Sequence, residues 1–360
     1  MSDKNKVLLG MSGGVDSSVA AILLKQKGYE VIGVTMKLWE DNKCQSCSNS
    51  LPEIDAKKVC EKLDIEHHVV DLKNKFKEHV IDDFITKYVD AKTPNPCIEC
   101  NKFLKFGAMY EIAKELEIKY IATGHYAKIE FDEKYNRHVL KKSVSLKKDQ
   151  SYVLYSIPKE ILPYVIFPLN EFESKEEIRK IAKENGLEVA SKSDSQDICF
   201  IPDNDYMRFL NENMTCSQKK EVLKEGKIVD VNGNVRKMHS GIINYTIGQR
   251  KGLGIQNSTP LYVIKLDKEN NQVIVGQKED TFSNVTYVED VNLLLFDKLD
   301  DGFKCTAKVR YAAKEALCTV YNEDNKLRVI FDEKQMAITP GQSIVFYLDD
   351  IVVGGGKICR

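Results

Sequence analysis

The feature that most constrains this chain is a short apolar run, Lys6 to Met11 (KVLLGM), that breaks into a glycine and serine loop and then into a helical pattern. Val19, Ile22 and Leu23 recur at helical spacing within Val15 to Lys27, and Gly28 ends the segment. The same alternation then repeats. Tyr29 to Leu38 reads as a second strand, Ile54 to Leu63 as a helix striped by Ala56, Val59, Cys60 and Leu63, and His67 to Leu72 as a third strand. Phe76, Val80, Phe84 and Tyr88 line one face of a further helix, and another helix after Cys100 leads to a strand from Lys119 to Gly124. Strands alternating with helices require right-handed crossovers and a parallel sheet, an α/β layout of the Rossmann-like kind, with ligands at the carboxyl ends of the strands. The site is therefore expected around Ser12, Met36 and Gly124.

The texture changes after Gly124. Ile129 to Leu146 is polar and hairpin-like, and Ser174 to Gly186 reads as a helix opened by a Ser174 and Glu177 capping box and closed by Gly186. From about Gly226 onward, short Val/Ile/Tyr-rich strands alternate with Asn-Gly, Asp-Gly and Pro-Gly turns, so this part is expected to be all β. A chain of 360 residues accommodates two or three domains. The expected division is residues 1–205, a central β domain at 206–283, and a C-terminal β-barrel at 284–360.

The loop Gly10 to Ser18 (GMSGGVDSS), between strand and helix, is an anion site by its geometry, because backbone N–H groups and a helix amino terminus converge there. It lacks the lysine of a Walker A loop, and GxGxxG is also absent. With 53 Lys and Arg against 54 Asp and Glu, the chain as a whole recruits no polyanion. Attraction to one would come from local stretches: Lys134 to Lys148 has six basic residues and Val231 to Lys265 has five, neither with a carboxylate. No apolar run reaches the roughly 18 residues of a membrane helix, so the protein is expected to be soluble and cytoplasmic, without a membrane partner. Ten cysteines are then expected to be reduced. Cys60, on a helical face, and Cys305, Cys318 and Cys359, in strand-like segments without partners at ligand spacing, read as packing or surface residues. Cys44-x-x-Cys47 is at most half of a zinc site, the other CxxC being Cys97-x-x-Cys100, and His67-His68 reads as strand.

SGGVDSS resembles the SGGxDS loop of the PP-loop ATP pyrophosphatases, of the adenine nucleotide alpha hydrolase-like fold. TPNPCIECNKFLKF, ATGHYA, KDQSYVLY, SDSQDICFI and YTIGQRKGLGI follow in order along the chain. Together these blocks resemble the tRNA-specific 2-thiouridylases of the MnmA type. The resemblance implies a PP-loop catalytic domain followed by two small β domains, and a reaction in which ATP adenylates O2 of the wobble uridine of tRNA before sulfur from an enzyme persulfide attacks C2. It places the persulfide on Cys199 and the partner nucleophile on Cys100, with a transient disulfide between them. Thiolates suit this work, more so with a lowered pKa. Gly10, Met11, Ser12, Gly13, Gly14, Val15, Asp16 and Ser17 match the ATP phosphate site, Asp16 with Mg²⁺, and Met36 and Gly124 match positions around the adenosine. Asn95, Pro96 and Cys97 match the stretch at the target base, while His125, Lys148, Asp149, Gln150, Arg310, Tyr311 and Gln342 match tRNA-facing positions. A cysteine desulfurase or sulfur-relay protein is implied as the persulfide donor.

Cys97 stands where some proteins of this type carry an aspartate. Cys97, Cys100 and Cys199, if brought together, would also suit an iron–sulfur cluster, an arrangement that occupies the thiols the persulfide route needs free. Two other readings stay open on the residues alone. An amide-forming PP-loop synthetase would not need Cys100 and Cys199, and a non-enzymatic RNA-binding protein would release no pyrophosphate.

Overall fold

The computed structural model of this chain describes residues 5–39, 52–191 and 198–359. Cys44, Cys47 and the Ser193–Asp197 part of SDSQDICFI lie outside these residues. Five parallel strands form the first sheet: β1 (Lys6–Gly10), β2 (Glu30–Lys37), β3 (Glu66–Asp71), β4 (Tyr120–Ala122) and β7 (Val165–Ile166), in the order β3-β2-β1-β4-β7. Strand order reverses between β1 and β4, so the crevice for a ligand opens at their carboxyl ends. The first four strands follow the sequence expectation within a residue or two. The two-residue β7 is too short to leave a periodic signal and was not anticipated.

Both faces of this sheet are covered, as a parallel sheet requires. Val7 and Leu9 point to one side, among Val19, Ala20, Cys60, Ile178 and Ala182, while Leu8 points to the other, among Phe106, Met109 and Ile121. Cys60 is fully buried there, in the packing role expected of it. The anticipated Ser174 capping box is present, with the Ser174 hydroxyl and Glu177 carboxylate capping helix Lys175–Glu184.

The span expected as a central β domain at 206–283 opens instead with two helices, Tyr206–Asn213 and Cys216–Val222, and β structure begins at Gly226. β8 (Gly226–Asp230), β9 (Val235–His239), β10 (Tyr262–Asp267) and β11 (Gln272–Gly276) make a four-stranded sheet in the order β10-β11-β8-β9. β12 (Phe282–Leu293), β13 (Phe303–Lys308), β14 (Ala316–Glu323), β15 (Lys326–Met336), β16 (Ser343–Leu348) and β17 (Ile351–Cys359) close into a six-stranded barrel through the β12 to β17 pairing. The hairpin of β5 (Lys128–Asp132) and β6 (Arg137–Lys141) extends the barrel's sheet through the pair Ile351 and Lys141. A segment from the first 205 residues thus joins the C-terminal barrel.

Cys305 and Cys318, too far apart in sequence for ligand spacing, face each other across β13 and β14 as free thiols 3.7 Å apart. Separate strand segments give no register in sequence, so the pairing was invisible there.

Candidate active site

The phosphate loop follows β1 and leads into helix Val15–Gln26. Gly13 adopts φ +68°, which a side chain would disfavour, and Gly14 caps the helix without a side-chain hydrogen bond. The first N–H groups of a helix have no intrahelical partner, so a loop of this form offers donors to an anion. Ser17 braces the turn: its hydroxyl accepts from the Ser12 N–H and donates to the Gly14 carbonyl, both at 3.2 Å. Ser12 remains exposed, whereas Met11 and Val15 are buried beneath the loop. The Met11 carbonyl accepts the Thr35 hydroxyl at 2.8 Å, tying the loop's base to β2. Gly124 approaches the loop from β4; a Cβ there would stand 2.9 Å from Asp16 C and Ser17 N, so the close approach demands glycine. Gly10 and half-buried Met36 lie at the ends of their strands as expected.

Asp16, expected to hold Mg²⁺, has other partners here. Lys175 Nζ donates to its two oxygens at 2.7 and 2.6 Å, and the Tyr126 hydroxyl donates at 2.7 Å. The loop without a lysine thus receives one from 159 residues away. Sequence reading missed Lys175 although a signal existed, since a lysine in the first turn of a helix opposes the helix dipole. With its carboxylate engaged by an ammonium group and a phenol, Asp16 does not fit a Mg²⁺ ligand in this arrangement.

The cysteines come together through an aromatic cluster. Phe200 packs edge-on against Phe76 and Phe84, with ring centroids 5.6 and 5.5 Å apart, and lies in the same core as Cys100. The anchored Phe200 holds the neighbouring Cys199, which is itself exposed, beside the turn Pro96–Cys100. Cys97 is exposed and Cys100 buried. Desolvation pushes the Cys199 thiol up to about 12; Cys100 and Cys97 add to the rise, and Lys105 opposes it. Desolvation also raises Cys100, again against Lys105. At both thiols the raising effect of the surrounding protein outweighs the single nearby lysine. Lys105 was not singled out in sequence because five residues of helix hide its approach to the thiols. Alkylation of Cys199 by iodoacetamide is accordingly expected to speed up about tenfold per pH unit from pH 7 to 9, because the thiolate fraction is still rising there. Peptide mass spectrometry follows the site; a plateau below pH 9 contradicts the assignment.

Among the described residues, no group of three or more His, Cys, Asp or Glu side chains is arranged to hold a metal. The donor set for a cluster at Cys97, Cys100 and Cys199 is not assembled in this conformation.

The positions expected to face RNA divide into two sets. Arg310 and Tyr311 are exposed, and half-buried Lys148 lies close by in sequence to exposed Val144 and Leu146. The Tyr311 hydroxyl donates to the Asp149 carbonyl at 3.1 Å, linking this strip to the barrel. The other four side chains turn inward. Asp149 accepts the Ser143 and Ser151 N–H groups at 3.0 and 3.2 Å, and Gln150 accepts the Tyr126 N–H at 2.9 Å. Gln342 donates to the carbonyls of Thr93 and Pro94 at 3.1 and 3.2 Å. His125 is buried against Thr123 at 2.7 Å, and desolvation, helped by Lys105, lowers its pKa well below the ordinary value, so it is neutral at pH 7. Asn95 and Pro96 open the Cys97–Cys100 turn, Pro96 at its first helical position.

The basic stretch Lys134 to Lys148 is less positive than its composition suggests. Arg137 pairs with Asp297, Lys141 with Glu130 and Lys142 with Glu315. Among the described residues, no helix is long and apolar enough to cross a membrane.

Comparison with known proteins covers nearly the whole chain. A family model described as the tRNA methyl transferase HUP domain matches residues 5–203. Models described as the tRNA methyl transferase PRC-barrel domain and the aminomethyltransferase beta-barrel domain match residues 217–277 and 283–358. The chain is 49% identical over 363 residues to a tRNA-specific 2-thiouridylase MnmA of Acetivibrio thermocellus, covering 99% of each chain. It is 48% identical over 359 residues to the protein of that name from Clostridioides difficile, covering 98% of each. A crystal structure of a 4-thiouridine synthetase–RNA complex with bound ATP aligns at 20% identity and TM-score 0.37, over 58% of this chain and 50% of that one, too distant to carry an argument.

Proposed function

The chain belongs to the tRNA-specific 2-thiouridylase family, and from that membership we propose that it adenylates O2 of the tRNA wobble uridine and replaces that oxygen with sulfur carried on Cys199. Formation of 2-thiouridine in tRNA, with ATP as the energy source, is the activity of this sulfurtransferase. The observation that carries it is near-half identity to a 2-thiouridylase over 99% of both chains. The family-model descriptions speak of methyl transfer, but the full-length relatives are named for thiolation, and the two cysteines within the phosphate-loop domain suit sulfur chemistry.

In this reading the loop Gly10–Ser17 binds the ATP phosphates, and uridine O2 attacks the α-phosphorus with loss of pyrophosphate. The terminal sulfur of the Cys199 persulfide then attacks C2, AMP leaves with the oxygen, and Cys199 is joined to the base through a disulfide. The Cys100 thiolate attacks the Cys199 sulfur, forming a Cys100–Cys199 disulfide and releasing 2-thiouridine. A thiol reductant restores both thiols, and a cysteine desulfurase or relay protein reloads the persulfide. Arg310, Tyr311 and Lys148 face the RNA, whereas Asp149, Gln150 and Gln342 shape the surface from inside. If Mg²⁺ accompanies ATP, its ligands come from the phosphates and water in this arrangement, not from Asp16.

Incubation of unmodified tRNA with the protein, ATP and a persulfide donor, followed by nucleoside mass spectrometry, is expected to yield 2-thiouridine together with pyrophosphate, in iron-free protein as well. Absence of the thionucleoside, or its dependence on added iron, would contradict this reading.

A further inference from the structure

The turn that carries Cys97 and Cys100 also carries Glu99, which is 4% exposed. Its Oε1 meets Lys87 Nζ at 3.3 Å and Lys357 Nζ at 3.0 Å. Lys87 belongs to helix Asp82–Val89 and is also held by Asp83 at 2.7 Å, while Lys357 belongs to barrel strand β17 and reaches Asp290 at 3.5 Å. Burial opposes the charge on Glu99, but the two ammonium groups outweigh it and hold the carboxyl below its ordinary range. Glu99 is therefore a buried anion fixed from two sides, one of them in another domain.

The barrel grips the approach to this turn as well. The Thr93 N–H donates to the Pro340 carbonyl at 2.9 Å, next to the Gln342 contacts with Thr93 and Pro94. A Cβ on Gly341 would stand 2.9 Å from Thr93 N, so barrel and turn meet at backbone distance. A buried ion pair contributes little net stability against an apolar pair of the same shape, because desolvation consumes most of the attraction, whereas its directionality defines position. We propose that Glu99 is a positioning residue which, through Lys357, pins the Cys97–Cys100 turn to the C-terminal barrel and so sets where the Cys100 thiol stands relative to Cys199. The inference rests on the reading of Cys100 and Cys199 as the sulfur-transfer pair. It separates two steps: adenylation depends on a loop braced by Lys175 and Tyr126, and sulfur release depends on a turn braced by the barrel.

Glu99→Gln and Lys357→Met, with Lys357→Arg as the conservative control, test it when pyrophosphate release and 2-thiouridine formation are followed in the same single-turnover samples. In Glu99→Gln and Lys357→Met, thiolation is expected to fall by at least about tenfold while pyrophosphate release stays within about threefold of wild type, and Lys357→Arg is expected to recover most of the lost thiolation. Equal loss of both steps, or unchanged thiolation beside an active wild type, would overturn the inference. Failure of both charge-removing variants to fold, seen by circular dichroism, would overturn it too, since the pair would then hold the fold and not the position of one turn. A wild type that makes no 2-thiouridine under these conditions would instead overturn the functional reading.

Discussion

Replacing Cys199 by serine is expected to abolish 2-thiouridine formation, by at least ~10³-fold, while tRNA-dependent pyrophosphate release survives in part. A serine hydroxyl cannot carry a persulfide, and adenylation requires neither thiol. Cys100→Ser is expected to lose multiple-turnover thiolation to a similar degree, because the sulfur would remain joined to Cys199, and the double variant to be about as inactive as either single one. Cys100 and Phe200 share one core, and Cys199 lies near enough to Cys97 and Cys100 to feel their charge. Mass spectrometry of the loaded wild type is expected to find the extra sulfur on Cys199. Persulfide confined to Cys44 or Cys47 would show that the carrier is misassigned.

The second large effect is expected at Asp16. Asp16→Ala removes the acceptor of Lys175 and Tyr126, frees the loop from its brace, and is expected to lower pyrophosphate release about 10²-fold, as misplacement of a reactive group by about an ångström does. Loss of charge-assisted hydrogen bonds is expected to cost about 1.5–3 kcal/mol of stability, measured by denaturant unfolding. Lys175→Met is expected to act on the same step, and the double variant should fall no lower than the worse single one, because both act on one brace. Additive losses would show that Lys175 and Asp16 serve separate purposes. Near-normal pyrophosphate release by folded Asp16→Ala would remove the loop from the ATP site.

The readable part of the site was its order along the chain. Strand, glycine loop and helix mark a candidate anion site because that succession leaves N–H donors free at a helix amino terminus, and the loop emerges as expected after β1. Gly124 was expected at the carboxyl end of its strand beside the loop, and the structure adds the reason for a glycine there, the 2.9 Å approach to the loop backbone. The inward turn of His125, Asp149, Gln150 and Gln342 was not legible. A polar residue in a loop carries no mark of the side on which its partner lies: Gln150 and Gln342 find theirs in distant segments, while His125 and Asp149 bond to residues close by in sequence.

By itself the sequence determined the local periodicities, and with them the alternation of strands and helices, the parallel sheet, the all-β remainder and the two cysteine blocks. Those properties depend on spacings of a few residues, which a linear pattern records. Only the tertiary structure decided that Lys175 supplies the loop's missing cation, that desolvation raises the pKa of both sulfur groups, and that Glu99 ties the Cys100 turn to the barrel. Each of these depends on burial and on charges far apart in the chain, and desolvation is a property of the packed surroundings that no single segment carries.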